Sequence, residues 1–120
     1  LNKVEQLIEI DNNSLDKIQI IFKHSTRCSV STFAKRILLS EYSDKIKTNV
    51  DIYYLDLIAF RQVSNAVAKH YNVVHESPQI LVINNKNCTY NASHSDVSFK
   101  NAFWLLKLFK NLICFVKFKF

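Results

Sequence analysis

Cys28 is the residue in this sequence best suited to covalent chemistry. An apolar run ends at Phe22, a short polar segment follows, and a helical pattern begins at Ser29. A cysteine at a helix start lies beside unpaired backbone N–H groups and the positive end of the helix dipole, and Arg27 adds a positive charge next to it. Both features favour the thiolate, which is the form that attacks disulfides. The pattern therefore predicts a catalytic cysteine.

Two further neighbours of Cys28 are expected to tune its thiolate. Ser31 could donate a hydroxyl hydrogen bond to the sulfur, and His24 lies just before the thiol loop. Ser31 also stands where a dithiol enzyme would keep its resolving cysteine, so we predict a monothiol mechanism in which an outside thiol clears the adduct. Resolution by Cys88 or Cys114 stays open, although we expect both to be packing residues.

The chain's only proline supplies a second element of the predicted site. Pro78 follows Ser77 and precedes an apolar, strand-like run. A cis peptide bond is essentially confined to X-Pro pairs, and we expect one here. It would turn the main chain of Ser77 outward to pair with an extended substrate beside the cysteine. An ordinary trans turn before a strand is the alternative.

A third polar cluster, residues 92–98, separates the last predicted strand from the last predicted helix. Its hydroxyls and free helix N–H groups would make a seat for a carboxylate, and a plain helix N-cap is the alternative. His24, His75 and His94 flank the three elements without any metal-ligand spacing, so we expect neither a metal nor a bound cofactor. The predicted substrate-binding residues are Thr26, His75, Glu76, Ser77, Pro78, Ser93, His94, Ser95 and Asp96.

Length and composition fit one domain spanning residues 1–120, with 48% apolar residues to build a core. The net charge of +6 lies in the tail, because residues 97–120 hold five Lys and no acid while residues 1–96 are nearly neutral. This distribution argues against a nucleic-acid partner. Three widely spaced cysteines and no secretion-signal pattern predict reduced thiols and a cytoplasmic location.

The order of predicted elements indicates an α/β fold. Apolar periodicity predicts helices at about 3–11, Ser29–Tyr42, Arg61–Tyr71 and from about Val97, and strands at Lys17–Phe22, Asp51–Leu57, Gln79–Ile83 and Asn87–Ala92. Asn84–Asn87 predicts a hairpin turn, since Asn tolerates positive φ in a chain without glycine. The first two strands are apolar at nearly every residue and are expected to be central. The result is a thioredoxin-like fold, with a central mixed sheet of about four strands flanked by helices.

The C-terminal tail, at about residues 105–120, is atypically apolar and contains several lysines. We expect a terminal helix packed on the sheet, and contact with a membrane surface or a partner is a secondary alternative. No apolar run in the tail approaches the length needed to span a bilayer.

Five blocks of the sequence together resemble the YtxJ-like monothiol bacilliredoxin family: Lys23–Ser31, Tyr53–Ile58, Arg61–Asn65, His75–Gln79 and Ala92–His94. The resemblance covers roughly residues 3–100. It implies a thioredoxin-like fold with Cys28 as the single active cysteine, and an activity that removes bacillithiol from mixed disulfides on proteins. Bacillithiol would be the co-substrate and bacillithiolated client proteins the partners. Ser77 and Pro78 would dock the substrate main chain, and Ser93–Asp96 would face the malate carboxylates of bacillithiol.

The competing hypothesis is a non-catalytic binding module. In this case a thioredoxin-like scaffold would hold a partner with the groove near Pro78 and the apolar tail, and Cys28 would be inert. The rate at which Cys28 is alkylated at different pH values would separate the two hypotheses.

Overall fold

A four-stranded sheet forms the centre of the protein in the computed structural model, which describes residues 1–102. The predicted tail and Cys114 lie outside the described residues. The helices are α1 (Gln6–Asn13), α2 (Ser29–Glu41), α3 (Asp44–Asn49) and α4 (Arg61–Tyr71). The strands are β1 (Ile18–His24), β2 (Val50–Asp56), β3 (Gln79–Asn84) and β4 (Asn87–Ser93). A short 3-10 helix follows at His94–Asp96, and residues 99–102 are helical.

The sheet is mixed, as predicted, with the strand order β2-β1-β3-β4. β1 and β2 are parallel, and α2 and α3 form the crossover that connects them. β1 is antiparallel to β3, and β3 and β4 form an antiparallel hairpin. The expectation that the second strand is central was wrong, because β2 forms the edge of the sheet. Only Val50 and Leu55 of β2 are buried. Its β-branched and aromatic residues favour a strand, but they do not distinguish an edge from a centre.

Asparagine replaces glycine at two left-handed positions, as the absence of glycine led us to expect. Asn85 has a φ of 50° in the hairpin turn, and Asn72 has a φ of 54° where α4 ends. Lys86, which carries no such preference, also has a positive φ of 67°. The turn is anchored by Ser14, whose carbonyl accepts the N–H of Asn85 and whose hydroxyl accepts the N–H of Lys86.

The two faces of the sheet carry separate apolar cores, because neighbouring strand residues point to opposite sides. The core on the side of α2 includes Ile20, Phe22, Ala34, Leu38, Ile80, Val82 and Phe99. The core on the side of α1 and α4 includes Leu7, Ile10, Ile21, Val63, Val67, Leu81 and Ile83. β1 and β3 contribute to both cores, so they are covered on both faces.

α2 begins at the predicted residue and buries only part of its apolar face. Ala34 and Leu38 are buried, whereas Val30 and Phe33, which share the apolar period, are 46% and 61% exposed. Ser31 completes the buried stripe and is fully buried. Apolar periodicity did not include Ser31 because a serine is rarely placed inside unless its hydroxyl is hydrogen bonded.

The sequence predicted the two long helices better than the short one. α4 has the predicted bounds, and the connection after α2 contains the unpredicted helix α3. Ser43 caps α3 by accepting the N–H of Ile46 on its side-chain oxygen. A helix of six residues is too short to display an apolar period, so only its capping serine indicated it.

Candidate active site

Cys28 is the N-cap residue of α2, with an extended backbone conformation. Its N–H donates to the carbonyl of Ser25 over 3.2 Å, and its own carbonyl accepts the N–H of Thr32 over 3.1 Å. The side chain is half-buried, and within the described residues its sulfur makes no capping hydrogen bond. Backbone bonds therefore fix the position of Cys28 and leave the thiol available at the helix start. Thr26 and Arg27 lie exposed in the same loop.

The Cys28 loop and the Ser77-Pro78 segment lie at the same end of the two central strands, β1 and β3. This end of the sheet is here called the active edge. β1 runs into the cysteine loop and the antiparallel β3 begins beside it, with Lys23 opposite Gln79. The peptide bond between Ser77 and Pro78 is cis, as predicted. The N–H of His94 donates to the carbonyl of Pro78 over 2.9 Å, so the segment after β4 reaches the same edge. The three predicted elements are thus neighbours.

Ser77 presents several polar groups without an internal partner. Among residues 1–102, no hydrogen bond engages its N–H or C=O, and its buried Oγ also lacks a partner. Buried polar groups in proteins are nearly always paired, so the unpaired groups of Ser77, at the same end of the sheet as the Cys28 loop, are available to bind another molecule. Pro78 itself is buried.

The hydroxyl of Ser31 is engaged with β1 and its loop, and not with the sulfur as we had expected. Its Oγ lies 2.7 Å from Nδ1 of His24 and accepts the N–H of Ser25 over 2.9 Å. Burial and the charge of Lys35 lower the pKa of His24, although the hydrogen bond with Ser31 and the charge of Asp56 oppose them. A neutral His24 therefore links the end of β1 to the first turn of α2.

A second polar cluster, which the sequence did not reveal, lies on the opposite face of the sheet. Lys23 is fully buried, and its Nζ lies 3.2 Å from the carbonyl oxygen of Ser64 in α4 and 3.3 Å from Nδ1 of His75. The hydroxyl of Ser64 lies 3.3 Å from the same Nδ1. Burial lowers the pKa of Lys23 to about 8. Burial and the charges of Lys23 and Arg61 lower the pKa of His75, against the opposing charge of Glu76.

The predicted carboxylate seat after β4 differs from what we expected. Ser93 ends β4 and makes no capping bond to the 3-10 helix that follows. The N–H groups of Phe99 and Lys100, expected to be free, donate to the carboxylate of Glu41 over 3.2 and 3.1 Å. An internal carboxylate from the end of α2 therefore occupies this helix start. His94 instead faces Glu76, with 3.9 Å between Nε2 and Oε2.

Cys88 lies far from Cys28. It belongs to the α4-side core, its thiol donates to the carbonyl of Tyr90, and burial raises its pKa. Cys88 pairs with Ile83, four residues along β3 from Gln79 at the active edge, which corresponds to about 13 Å. This position agrees with a packing role and argues against Cys88 as a resolving thiol.

Metal sites and membrane-spanning helices are both absent from the part of the chain that the structure describes. Within residues 1–102, no three His, Cys, Asp or Glu side chains are grouped so that they could hold a metal ion. No helix of this part has the length and apolar character needed to cross a membrane.

Solved structures with the same fold define the class of this protein. The chain is 27% identical to a protein whose description assigns it a thioredoxin fold, with a TM-score of 0.73 over 87% of this chain and 88% of that one. Thioredoxin from Malassezia sympodialis has 13% identity and a TM-score of 0.64, covering 92% of this chain and 86% of its own. Thioredoxin f2 from Chlamydomonas reinhardtii has 11% identity and a TM-score of 0.66, covering 90% and 92%. These similarities place the protein in the thioredoxin-fold class, with a cysteine at the start of α2.

A family model identifies the protein family within this fold class. The family model of the monothiol bacilliredoxin BrxC matches residues 1–102. Because this match covers most of the chain, the protein belongs to the monothiol bacilliredoxin family. The resemblance found in the blocks around Cys28 and Pro78 is confirmed, and so is the thioredoxin-like fold.

Proposed function

We propose that the protein removes bacillithiol, or a similar low-molecular-weight thiol, from mixed disulfides on client proteins, with Cys28 as the nucleophile. The observation that supports this most directly is the half-buried thiol of Cys28 at the start of α2. It lies at the same end of the sheet as Ser77, whose main chain is unpaired among residues 1–102. Membership of the monothiol bacilliredoxin family supports the small thiol as the group transferred. A reducing compartment such as the cytoplasm would keep Cys28 in its active form.

The reaction consists of two thiol–disulfide exchanges. The Cys28 thiolate attacks the sulfur of the small thiol in the mixed disulfide, the sulfur–sulfur bond to the client breaks, and the client leaves as a thiolate that takes up a proton. Cys28 then carries the small thiol in a new disulfide. A second molecule of the small thiol attacks this bond as a thiolate, which regenerates Cys28 and yields the symmetric small-thiol disulfide. Over the cycle one free small thiol is consumed for each client released, and the disulfide bond passes from the client to the pair of small thiols, so no other oxidant or reductant is needed.

Neighbouring groups supply the remaining functions in this proposal. The first turn of α2 holds Cys28 at its N-cap, and Arg27 lies exposed in the same loop. The unpaired N–H and C=O of Ser77 bind an extended client segment in the manner of an added strand. The exposed loop residue Thr26, together with Glu76 and the Ser93–Asp96 segment, contacts the polar parts of the small thiol.

The test is the release of bacillithiol from a bacillithiolated client, followed by intact mass. We expect release by the parent protein and loss of at least about 100-fold in rate for Cys28→Ser, because the hydroxyl of serine is a much weaker nucleophile than a thiolate. Cys88→Ser and Cys114→Ser serve as matched controls and should release bacillithiol at the parent's rate.

Equal rates for Cys28→Ser and the parent would disprove the proposed function. Loss of activity in Cys88→Ser, with Cys28→Ser unaffected, would mean that Cys88 in β4 is the nucleophile. Clients modified with glutathione or with coenzyme A, tested in parallel, identify which small thiol is preferred. A preference for one of these over bacillithiol would overturn the choice of bacillithiol while keeping Cys28 as the nucleophile.

A further inference from the structure

Lys23 is the feature that the proposed reaction leaves unused. Its side chain is fully buried, and within residues 1–102 no carboxylate forms a salt bridge with it. The polar partners of Nζ are the carbonyl oxygen of Ser64 and Nδ1 of His75. Burying an ammonium group without an anion is costly, so its retention calls for a function.

The chemistry of the ammonium group determines the role of the His75 ring. A charged lysine has three donors and no acceptor, so Nδ1 of His75 must act as the acceptor. The hydroxyl of Ser64, 3.3 Å from the same Nδ1, can also donate to it. A neutral imidazole that accepts at Nδ1 carries its proton on Nε2. Among the described residues, no hydrogen bond or ion pair engages Nε2 of His75.

The charges around His75 keep its ring neutral at physiological pH. Lys23 approaches it from β1 and Arg61 from α4, and both disfavour a second positive charge. Glu76, the next residue, acts in the opposite direction, but it is exposed and also faces His94. Partial burial of His75 further disfavours the imidazolium form.

We propose that Lys23 is a positioning residue that fixes His75 as a neutral ring protonated at Nε2, so that the segment before Pro78 presents a single N–H donor to an acceptor oxygen of the bound thiol. The group that binds His75 is expected to be a carboxylate, because the positive charges of Lys23 and Arg61 lie close to His75. The ligand part of this inference rests on the proposed function, whereas the state of the ring does not.

Nitrogen-15 NMR of the imidazole rings tests the state of His75 directly in the parent protein. At pH 7 we expect one tautomer, with Nε2 protonated and Nδ1 bare. A ring protonated at Nδ1, a charged ring, or an equal mixture of tautomers would overturn the proposal. This measurement needs no substrate and no substitution, so it decides the matter even if Cys28 proves inactive.

Lys23→Met then tests whether the lysine is the cause. Methionine has a similar length and no donor, so we expect a mixture of tautomers and an upward shift in the pKa of His75. Lys69→Met, which removes an exposed lysine from α4, should leave both properties unchanged. A folded Lys23→Met protein whose His75 keeps the parent's tautomer and pKa would refute the role of Lys23.

Two mixed disulfides on Cys28 test the ligand. In a Cys88→Ser/Cys114→Ser background, Cys28 is joined to mercaptosuccinate, which bears carboxylates, or to 2-mercaptoethanol, which bears none. We expect the Nε2 proton of His75 to shift downfield in the first adduct only. A response to neither adduct, or an equal response to both, would overturn the assignment of His75 as a carboxylate donor.

Discussion

Two adjacent residues of β1 illustrate how the two faces of the sheet divide the work at the active edge. His24 points to the face of α2, where it pairs with Ser31 in the first turn of the helix that Cys28 caps. Lys23 points to the face of α4, where it contacts Ser64 and His75, close before the Ser77-Pro78 segment. One face therefore supports the Cys28 loop with neutral partners, and the other supports the segment before Pro78 with a buried cation.

The difference has an energetic consequence. His24 and Ser31 satisfy each other at little electrostatic cost, because neither carries a charge in the folded protein. Lys23 keeps its ammonium group away from water, and no carboxylate of the described residues compensates it. Hydrogen bonding thus dominates on the α2 face, whereas charge burial dominates on the α4 face. The two faces should respond differently to pH and to substitution.

The largest expected effect comes from Lys23→Met. Burial lowers the pKa of Lys23 from 10.5 to about 8, and this shift corresponds to about 3 kcal/mol. The folded parent gains this stability as pH rises from about 8 to 10.5, where only the unfolded chain still holds the proton, and loses it as pH falls through 8. Methionine does not titrate. Relative to the parent, the variant should therefore be more stable at pH 7 than at pH 10 by most of this amount.

Urea unfolding of the parent, Lys23→Met and Lys69→Met between pH 7 and pH 10 measures this difference. The exposed Lys69 has no burial cost to lose, so its variant should follow the parent at every pH. A constant difference between Lys23→Met and the parent across this range would mean that charge burial does not distinguish the α4 face.

The second prediction concerns the hydrogen bonds of the α2 face. Ser31→Ala leaves Nδ1 of His24 and the N–H of Ser25 without their partner, and both residues are buried. We expect a loss of about 2 kcal/mol in the free energy of unfolding, since each unsatisfied buried group is costly. Ser40→Ala, on the same helix but exposed, should cost no more than about 0.5 kcal/mol.

Chemical denaturation at pH 7 compares the two serine variants. If Ser31→Ala were as stable as Ser40→Ala, the pairing of Ser31 with His24 would contribute nothing to the folded state. The α2 face would then resemble an ordinary apolar core, and the contrast between the two faces would disappear. The loss expected for Ser31→Ala should not vary between pH 7 and pH 10, unlike the difference seen for Lys23→Met.

The sequence predicted local features and missed the contacts that connect distant segments. The helix start at Ser29, the bounds of α4 and the cis bond before Pro78 depend on periodicity and on residue types next to one another. The neighbours of Lys23 are 41 and 52 residues away, and no period or motif relates them. Glu41 likewise meets a helix start 58 residues later. These contacts between distant polar groups form only once the sheet and its helices are assembled, so the partners of Lys23 and Glu41 could not be predicted from the sequence.

The same distinction explains how far the candidate site could be derived. Cys28, Ser77 and Pro78 were identified because their chemistry is peculiar to their residue types. The sequence singled out Ser31 but gave it the wrong partner, since a helical wheel does not show that its hydroxyl turns toward His24. Lys23 was passed over because lysine in a strand is usually solvated, and only burial in the structure revealed it.

The smallest expected effect is the change in the acid sensitivity of folding when His24 is replaced by glutamine. Burial lowers the pKa of His24, so its neutral form stabilises the folded protein above pH 6.5, and this contribution is lost as pH falls through the folded value. His24→Gln keeps an amide that can pair with Ser31 but cannot titrate, so its stability should fall less steeply than the parent's between pH 7 and pH 5. His94→Gln is the matched control, since the side chain of His94 is 60% exposed. Parallel curves of stability against pH for His24→Gln and the parent would contradict this expectation.

The pKa of His75 is also lowered, so acid affects histidines on both faces of the sheet. The change in stability between pH 8 and pH 10.5 that Lys23 causes is therefore the one that distinguishes the α4 face.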